Sequence, residues 1–546
     1  MRALLLFCTL VAAGTAHAGL PAPPRPVPAE DEEEPPPQVQ APATAPRGDE
    51  EGAPPGDGGK PPADAAASVR ELTFEEAVDL GLAYNLGLKS RRFDALIARM
   101  DVEEQDAAWD TTLGANVEGG ETRIPTRSEL EGAQTLETDT FGYGFGLTKP
   151  LRIGPTLGLD WRTDRLFTNS SFSTINPSYD TALELSLTVP LLRGRGRQAQ
   201  ESNLRASRAG AQGARFTLLS EAEVLVESIA VAYWNLVYLE DRVHVLEKSL
   251  EVAREIEDAE RKKLRPEIGR STPLDVTTAH AETKTRETNL IAGKLDAANA
   301  SDDLRLLILP FTGGPDDRIV LRAAQKPEEP GDVPDRDQLV ADALATRSDL
   351  RATEARIEQL REGVVGAENQ VRVQLDLEGA LTFRGVDGDI GGASTQALGG
   401  DYPSANALLT LSWPLGRRAA KAALRRAQLA LEQAEVQRND QVNGIVVEVR
   451  KAHRGLQAAL EGIVSLREGV VAADAALKGE RLRLARGSST ILDVAQLEDS
   501  FTTAELRLLE TRTKAEQARI RLQRATGGLL PRYGVELSPD DEVRKP

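Results

Sequence analysis

Apolar positions along the chain follow two periods, and the two alternate twice. The first period is helical: Thr73 with Glu76 reads as a capping box, and Ala77, Leu80, Leu88 and Leu96 continue one stripe towards Trp109. The period then falls to two. Leu113, Ala115 and Val117 alternate with small or polar residues, as do Phe141 to Leu147, Leu157 to Trp161 and Leu183 to Val189. This spacing predicts strands near 111–118, 140–148, 156–165 and 181–189, the middle pair turning between Lys149 and Pro155. Helical spacing returns from Glu201 to Leu309, with Ile229, Trp234, Val237, Leu246 and Leu250 on its apolar side. Its first arm, Glu201 to Leu264, is about 95 Å long as continuous helix. Pro310 to Asp337, rich in Pro, Gly and Asp, reads as a linker. The order then repeats: a helix from Leu339 through Leu350 to Val371, strands at Leu375–Phe383 and Ala407–Trp413, and a long helix. The Gly-rich stretch 385–400 between those strands reads as a loop that opens no helix.

One short stretch occurs twice. Gly269-Arg-Ser-Thr-Pro-Leu-Asp-Val276 and Gly487-Ser-Ser-Thr-Ile-Leu-Asp-Val494 lie 218 residues apart and agree at six of eight positions. Each sits inside a long helical stretch and reads as a reversal between two helices. Gly269 and Gly487 can end a helix in the left-handed region. Thr272 and Thr490 then serve as N-caps, with Asp275 and Asp493 three positions on as capping-box acids. Pro273 falls on the first helical position, where a missing N–H costs nothing. Two hairpins with one tip sequence indicate a duplicated unit, and the order of elements in the halves agrees with it.

Composition narrows the class. Met1-Arg2, an apolar run to Ala13 and Ala16-His-Ala18 read as a secretory signal peptide over residues 1–18. The single cysteine, Cys8, lies inside it, so no disulfide or cysteine metal site is expected in the mature chain. Residues 19–70, rich in Pro and acids, read as a disordered arm. No later run of 18 apolar residues predicts a transmembrane helix. A net charge of −19 argues against nucleic acid as a partner. His244, His280 and His453 lie in separate helical regions without a partner at ligand spacing, and no phosphate loop, nucleophile elbow or dinucleotide fingerprint occurs. No catalytic residue, cofactor or metal site is expected, so the chain does not read as an enzyme.

The strands fit either a half-buried sheet in a soluble domain or tilted membrane strands with one apolar face. The signal peptide, the glycine-lined second face and the flanking Trp109 and Trp161 favour the membrane. Four to six strands close no open barrel, and lipid tolerates no open edge, so membrane strands from several chains must be pooled. The fold expected is therefore mostly α with a membrane β-barrel portion, built from duplicated long α-helical hairpins plus strands.

The twofold repeat, the opening Leu72-Thr-Phe-Glu-Glu-Ala-Val-Asp-Leu80, the strand-ending Pro190-Leu-Leu-Arg-Gly194 and Pro414-Leu-Gly416, and the twice-used tip resemble the TolC-type outer-membrane efflux proteins. The likeness runs from residue 71 to about 530. It implies a homotrimeric α-barrel/β-barrel channel-tunnel in a Gram-negative outer membrane, with the helical part in the periplasm. It also implies a passive exit duct for efflux or secretion that docks on a periplasmic adaptor (a membrane fusion protein) and an inner-membrane transporter. Residues 71–310 then form the first repeat, 311–336 the linker, 337–530 the second repeat and 531–546 a C-terminal tail. A trimeric helical surface stalk or adhesin is the alternative; its strands should stand at one chain end, without duplicated tips.

The family's two strands per repeat leave the hairpin at 140–165 open to two readings, lipid-facing strands or an extramembrane hairpin against the barrel mouth. The resemblance places adaptor contacts at Gly269, Ser271, Thr272, Leu274, Gly487, Ser489, Thr490 and Leu492. It places a gate at Asp275 and Asp493, with Gln496 where the family often has a second acid; the charge of Arg270 could tie neighbouring tips by a salt bridge. Both aspartates also cap their own helices. The basic groups Arg193, Arg195 and Arg197, and Arg417, Arg418, Lys421, Arg425 and Arg426, follow the strand-ending prolines. They meet either anionic headgroups of outer-membrane lipid at the periplasmic edge or nearby acids.

Overall fold

The computed structural model describes residues 69–534 apart from 128, 265–270, 312–318, 328–330 and 332. The predicted signal peptide, nearly all of the predicted arm and most of the C-terminal tail lie outside the described residues. Strand β1 (Val69–Leu72) opens the order, two residues inside the stretch expected to be disordered, because it pairs in parallel with β6 (Val320–Ala323).

Helix α1 (Phe74–Tyr84) starts with the predicted box: the Thr73 hydroxyl accepts from the Glu76 amide, and the Glu76 carboxylate accepts from the Thr73 amide. The stripe predicted as one helix is broken at Asn85, after which α2 (Leu86–Asp106) runs on. Asn85 is extended; its side chain caps the Leu88 amide and donates to the Leu307 carbonyl, which fixes the bend from outside the helix. The second repeat bends at the matching place. Helix α5 (Arg336–Thr346) and α6 (Ser348–Val371) meet at an extended Arg347.

Six strands form one antiparallel sheet in the order β2 (Thr112–Pro125), β3 (Thr135–Pro150), β4 (Thr156–Thr168), β5 (Ser178–Pro190), β7 (Gln374–Asp387), β8 (Tyr402–Ser412). The middle hairpin is paired along its full length with β2 and β5, so it belongs to the sheet itself and is not an appendage at its mouth. Register brings the apolar positions into rows that cross the sheet. One row reads Leu113, Leu147, Leu159, Leu185, Leu381 and Ala405; the next reads Ala115, Phe145, Trp161, Leu183, Phe383 and Pro403. The opposite face carries glycines and charges, including Asn116, Gly144, Arg162 and Arg384 in one row.

The Gly-rich stretch is not a loop. Helix α7 (Ile390–Gly399) forms there, capped by Asp389 and ended by Gly400 in the left-handed region. Its two internal glycines lower helix propensity, and packing on β5 and β7 overrides them.

Four long helices complete the chain: α3 (Ser202–Lys263), α4 (Pro273–Ile308), α8 (Arg418–Ala485) and α9 (Ile491–Ala525). At 62 residues α3 is about 93 Å long, close to the length expected. Side by side they make a wall one helix thick, ordered α2-α3-α6-α8 next to the sheet and α4-α3-α9-α8 towards the tips. This order is dictated by the sheet, since α2 leads into β2, β5 into α3, α6 into β7 and β8 into α8. One window of α3 has mean hydropathy 1.3, enough for a membrane span by length and composition, although no such span was expected. That window is 56% buried, because α3 is the one helix flanked on both sides at both levels of the wall.

The main core lies where α1, β1 and β6 pack against α3. Tyr233 is fully buried, donates to the Leu72 carbonyl at 3.0 Å and accepts from the Gln325 amide at 3.2 Å. Phe74 meets its ring tilted and Trp234 edge-on, and Tyr533 in turn meets Phe74 edge-on. Nearby, Arg347 joins α6 to α8 and α9: it holds Asp349 and Glu448, each at 2.7 Å, and the Ala525 carbonyl.

Glu223 of α3 is buried beside this group, and burial, reinforced by Asp349, pushes its carboxyl up to about 7. An acid that holds its proton more tightly when folded loses stability as pH rises from its unfolded value, about 4.3, to its folded one. Glu223→Gln removes that loss. The stability gained over the parent should therefore be larger at pH 8 than at pH 5, by up to about 3 kcal/mol. Chemical denaturation at both pH values reads the difference; parallel behaviour of variant and parent would refute the assignment.

Candidate functional site

The site lies where the wall ends. Helices α3 and α4 form one hairpin and α8 and α9 the other, with 36 and 35 residues in the returning arms α4 and α9. At the second tip Gly487 has φ 78°, the left-handed conformation that ends α8. Thr490 caps α9, and Asp493 accepts from the Thr490 amide and hydroxyl at 3.1 and 2.7 Å. The first tip repeats this geometry: Asp275 accepts from the Thr272 amide at 2.8 Å and its hydroxyl at 2.7 Å, with Pro273 at the helix start. Gly269 and Arg270, named as tip and gate residues, lie outside the described residues.

The remaining named residues split by environment. Leu274 and Leu492, equivalent in the two tips, are 73% and 57% exposed. Gln496 is exposed, Ser489 is partly covered and donates to the Thr490 carbonyl, and the Ser271 hydroxyl is buried. The hydrogen bonds from Thr272 hold the Asp275 carboxyl below the usual range, and those from Thr490 do the same for Asp493. Both aspartates are thus ionised caps.

Above the tips runs a set of ion pairs that sequence reading did not find. Arg286 of α4 is buried and bonds the Ser249 hydroxyl of α3 at 2.6 Å, Glu282 at 2.8 Å and Asp499 of α9 at 2.7 Å. It ties the first hairpin to the second. Glu498 of α9 is buried against Arg481 of α8 at 2.7 Å, and Glu257 of α3 is buried against Arg261 and the His280 ring. Half of the His280 side chain is exposed, and the Glu257 contact orients its ring. No periodicity marks Arg286, because its partner lies 213 residues away.

The two lateral edges of the wall form the second part of the site. On α8, Leu429, Val436, Val464 and Val471 are 48–67% exposed and share one seven-residue frame, with Asn443, Arg450 and Gln457 between them. On the opposite edge Leu86, Phe93, Ile97 and Met100 of α2, and Ile291, Leu295 and Leu306 of α4, are each at least half exposed. Strands β2 and β8, the two sheet edges, lie above these same helices and are exposed at every residue. A spacing of seven on an uncovered helix fits one position of a coiled-coil heptad.

The basic groups behind the strand-ending prolines divide. Arg197 pairs with Glu201 at 2.8 Å, Arg425 with Glu432 at 3.3 Å, and Arg417 donates to the Val371 carbonyl at the end of α6. Arg418, Lys421 and Arg426 are exposed at the foot of β8. Among the described residues no cluster of metal-ligating side chains occurs.

A sheet with one apolar face, continued strand by strand into a wall of long helices with matched tips, is the arrangement of the outer-membrane efflux proteins. A surface stalk would hold its strands at one chain end, whereas here they divide between two repeats. The chain belongs to the outer membrane efflux protein family, whose model matches residues 152–308 and 339–528. Its place is the Gram-negative outer membrane, with the helical wall on the periplasmic side. It is 24% identical over 313 residues to the outer membrane efflux protein BepC of Brucella suis biovar 1, a match covering 56% of this chain and 64%, just under two thirds, of that relative. Among solved structures it is similar in fold to the outer-membrane channel OprN, with TM-score 0.62 and 17% identity over 86% of this chain and 96% of that one. It is similar also to the CmeC outer membrane channel of Campylobacter jejuni, with TM-score 0.62 and 15% identity over 84% and 86% of the two chains.

Proposed function

We propose that three copies of this chain close into a channel-tunnel that serves as a passive exit duct for efflux or secretion. The observation that carries this reading is the pair of unfilled edges, α8 with β8 on one side and α2, α4 and β2 on the other. Their apolar stripes stand at matching heights. Val464 and Val471 lie about 32 and 21 Å above the end of α8, and Ile291 and Leu295 about 27 and 33 Å above the start of α4. Each edge of one copy therefore meets the other edge of the next, a heterologous contact that closes as a ring. Three copies supply 18 strands, enough to leave an open lumen. The tips, with Leu274 and Leu492 outward, are the surface for a periplasmic adaptor that links the duct to an inner-membrane transporter. Arg418, Lys421 and Arg426 sit where anionic lipid headgroups would meet the end of the sheet. Repeat boundaries at 71–310 and 337–530 follow from the matched order of elements. The chemistry is conduction, with no bond made or broken.

Bringing three copies of Asp275 and Asp493 towards one axis would place a carboxylate ring at the constriction and favour cations. The experiment is single-channel recording in planar bilayers, with mass photometry in mild detergent to count copies. Asp493→Ser and Asp275→Ser keep a short polar cap and remove the charge, and should lower cation selectivity severalfold; Asp493→Glu should keep it. Unchanged selectivity in the serine variants would leave the aspartates as caps alone. A monomer with native helix content would overturn the channel reading.

A further inference from the structure

Helix α7 is out of place on a water-exposed loop. It contains no charged residue, and it lies on β5 and β7 on the apolar side of the sheet. The register fixes that side: Gly385 pairs with Thr181, and both share the face of Phe383 and Leu183. Contact is close, since a Cβ at Gly385 would collide with the Ala393 carbonyl oxygen. Ala393 and Ala397 are buried against the sheet, while Ile390 and Leu398 are 43% and 68% exposed on the other side.

The row that α7 crosses differs from its neighbours. Thr163 and Thr181 follow Trp161 and Leu183 on the apolar face and, with Tyr143 in the same row, are the first hydroxyls in that band. Both threonines are fully buried and bonded to each other at 3.2 Å. The next row outward carries charge, with Arg165 and Asp387. α7 thus sits at the outer margin of the apolar band and carries apolar surface across the point where the sheet turns polar. Thr395, Gln396 and the capping Asp389 find their partners within the chain. Thr395 returns its hydroxyl to the Gly391 carbonyl at 2.8 Å, Gln396 accepts from the Val386 amide and donates to Asp387, and Asp389 accepts from the Gly392 amide. Satisfying backbone and side chains internally is what a hydrocarbon environment demands. Both strands it lies on, β5 and β7, are interior strands of the sheet.

We propose that α7 is immersed in the outer leaflet, with Ile390 and Leu398 in contact with lipid acyl chains. The inference rests on the membrane reading of the sheet and adds to it a helical segment that extends the lipid-facing surface. The test uses the full mature chain, whose sequence after residue 18 contains no cysteine. Single variants Leu398→Cys and Ile390→Cys are spin-labelled in phospholipid vesicles, with Phe145→Cys and Leu159→Cys as sheet-face controls and Thr174→Cys as a loop control. Power saturation compares collisions with oxygen, which concentrates in lipid, and with a water-soluble nickel chelate. The oxygen-to-nickel ratio at 390 and 398 should match that at 145 and 159 and exceed that at 174 severalfold. If 390 and 398 behave like 174 while 145 and 159 stay in lipid, α7 lies above the membrane and the inference is wrong, although the sheet reading stands. If all five sites collide mainly with nickel, the membrane reading of the sheet fails and the inference with it.

Discussion

Val464→Asp with Val471→Asp should leave the chain helical and abolish the oligomer. Both valines lie on the uncovered side of α8, where within one chain they touch no core. A carboxylate there costs the folded monomer almost nothing, since exposed substitutions stay near ±0.5 kcal/mol. In the proposed ring the same positions would face Ile291 and Leu295 of the next copy, and each valine buried there would be worth about 1.5–3 kcal/mol. Replacing two of them in each of three equivalent interfaces removes at least about 9 kcal/mol, before the larger cost of burying unpaired charge. Because the contact is heterologous, a lesion on either edge is enough. Phe93→Asp with Ile97→Asp on α2 should therefore give the same monomer, and combining both pairs should add nothing. Mass photometry in detergent, with circular dichroism for helix content, reads the outcome. A variant that stays trimeric would show that these stripes are not the seam.

The second large effect is expected at Arg286. Its guanidinium is the direct side-chain tie between α4 and α9 near the tips, and Asp499, its partner across the gap, is 66% exposed. Cutting the tie at Asp499 should cost little global stability, because the Asp499 carboxylate regains water on release and Arg286 keeps Ser249 and Glu282. The Asp499 pair itself is worth about 1 kcal/mol or less. What changes is the freedom of the two hairpins to separate. Arg286→Ala and Asp499→Asn should each raise closed-state conductance severalfold, and the double variant should do no more than either single one. Arg286→Lys keeps the charge but loses the forked bonds to Ser249 and Asp499, so it should fall between parent and alanine. Low, unchanged conductance in both single variants would confine Arg286 to a packing role.

Much of the chain was legible before its folding was known, and where it was not, the cause can be named. The capping boxes at Thr73, Thr272 and Thr490 were readable because donor and acceptor lie three residues apart. All six strands of the sheet were readable because a period of two survives in each of them by itself. The breaks at Asn85 and Arg347 were not. Asn85 bends the chain by reaching the Leu307 carbonyl, 222 residues away, and Arg347 by reaching Glu448. Helix α7 was hidden by its glycines, since its stability comes from a sheet surface that local propensity does not describe.

The candidate site divides in the same way. The tips were visible as a repeated octet, but the Arg286–Asp499 tie joins residues from different repeats, and α4 and α9 meet only after both hairpins have folded. The exposed stripe on α8 was present in the spacing of Leu429, Val436, Val464 and Val471, yet the pattern alone does not say which side of a helix its own chain leaves bare. By itself the sequence determined what short-range geometry encodes: the type and order of the elements, the caps, the tips and the duplication. The tertiary structure decided which faces are covered, where the middle hairpin joins the sheet, and which charges are buried in pairs. Those depend on contacts between residues tens to hundreds of positions apart, and closing such contacts is governed by the packing of whole elements rather than by any local pattern.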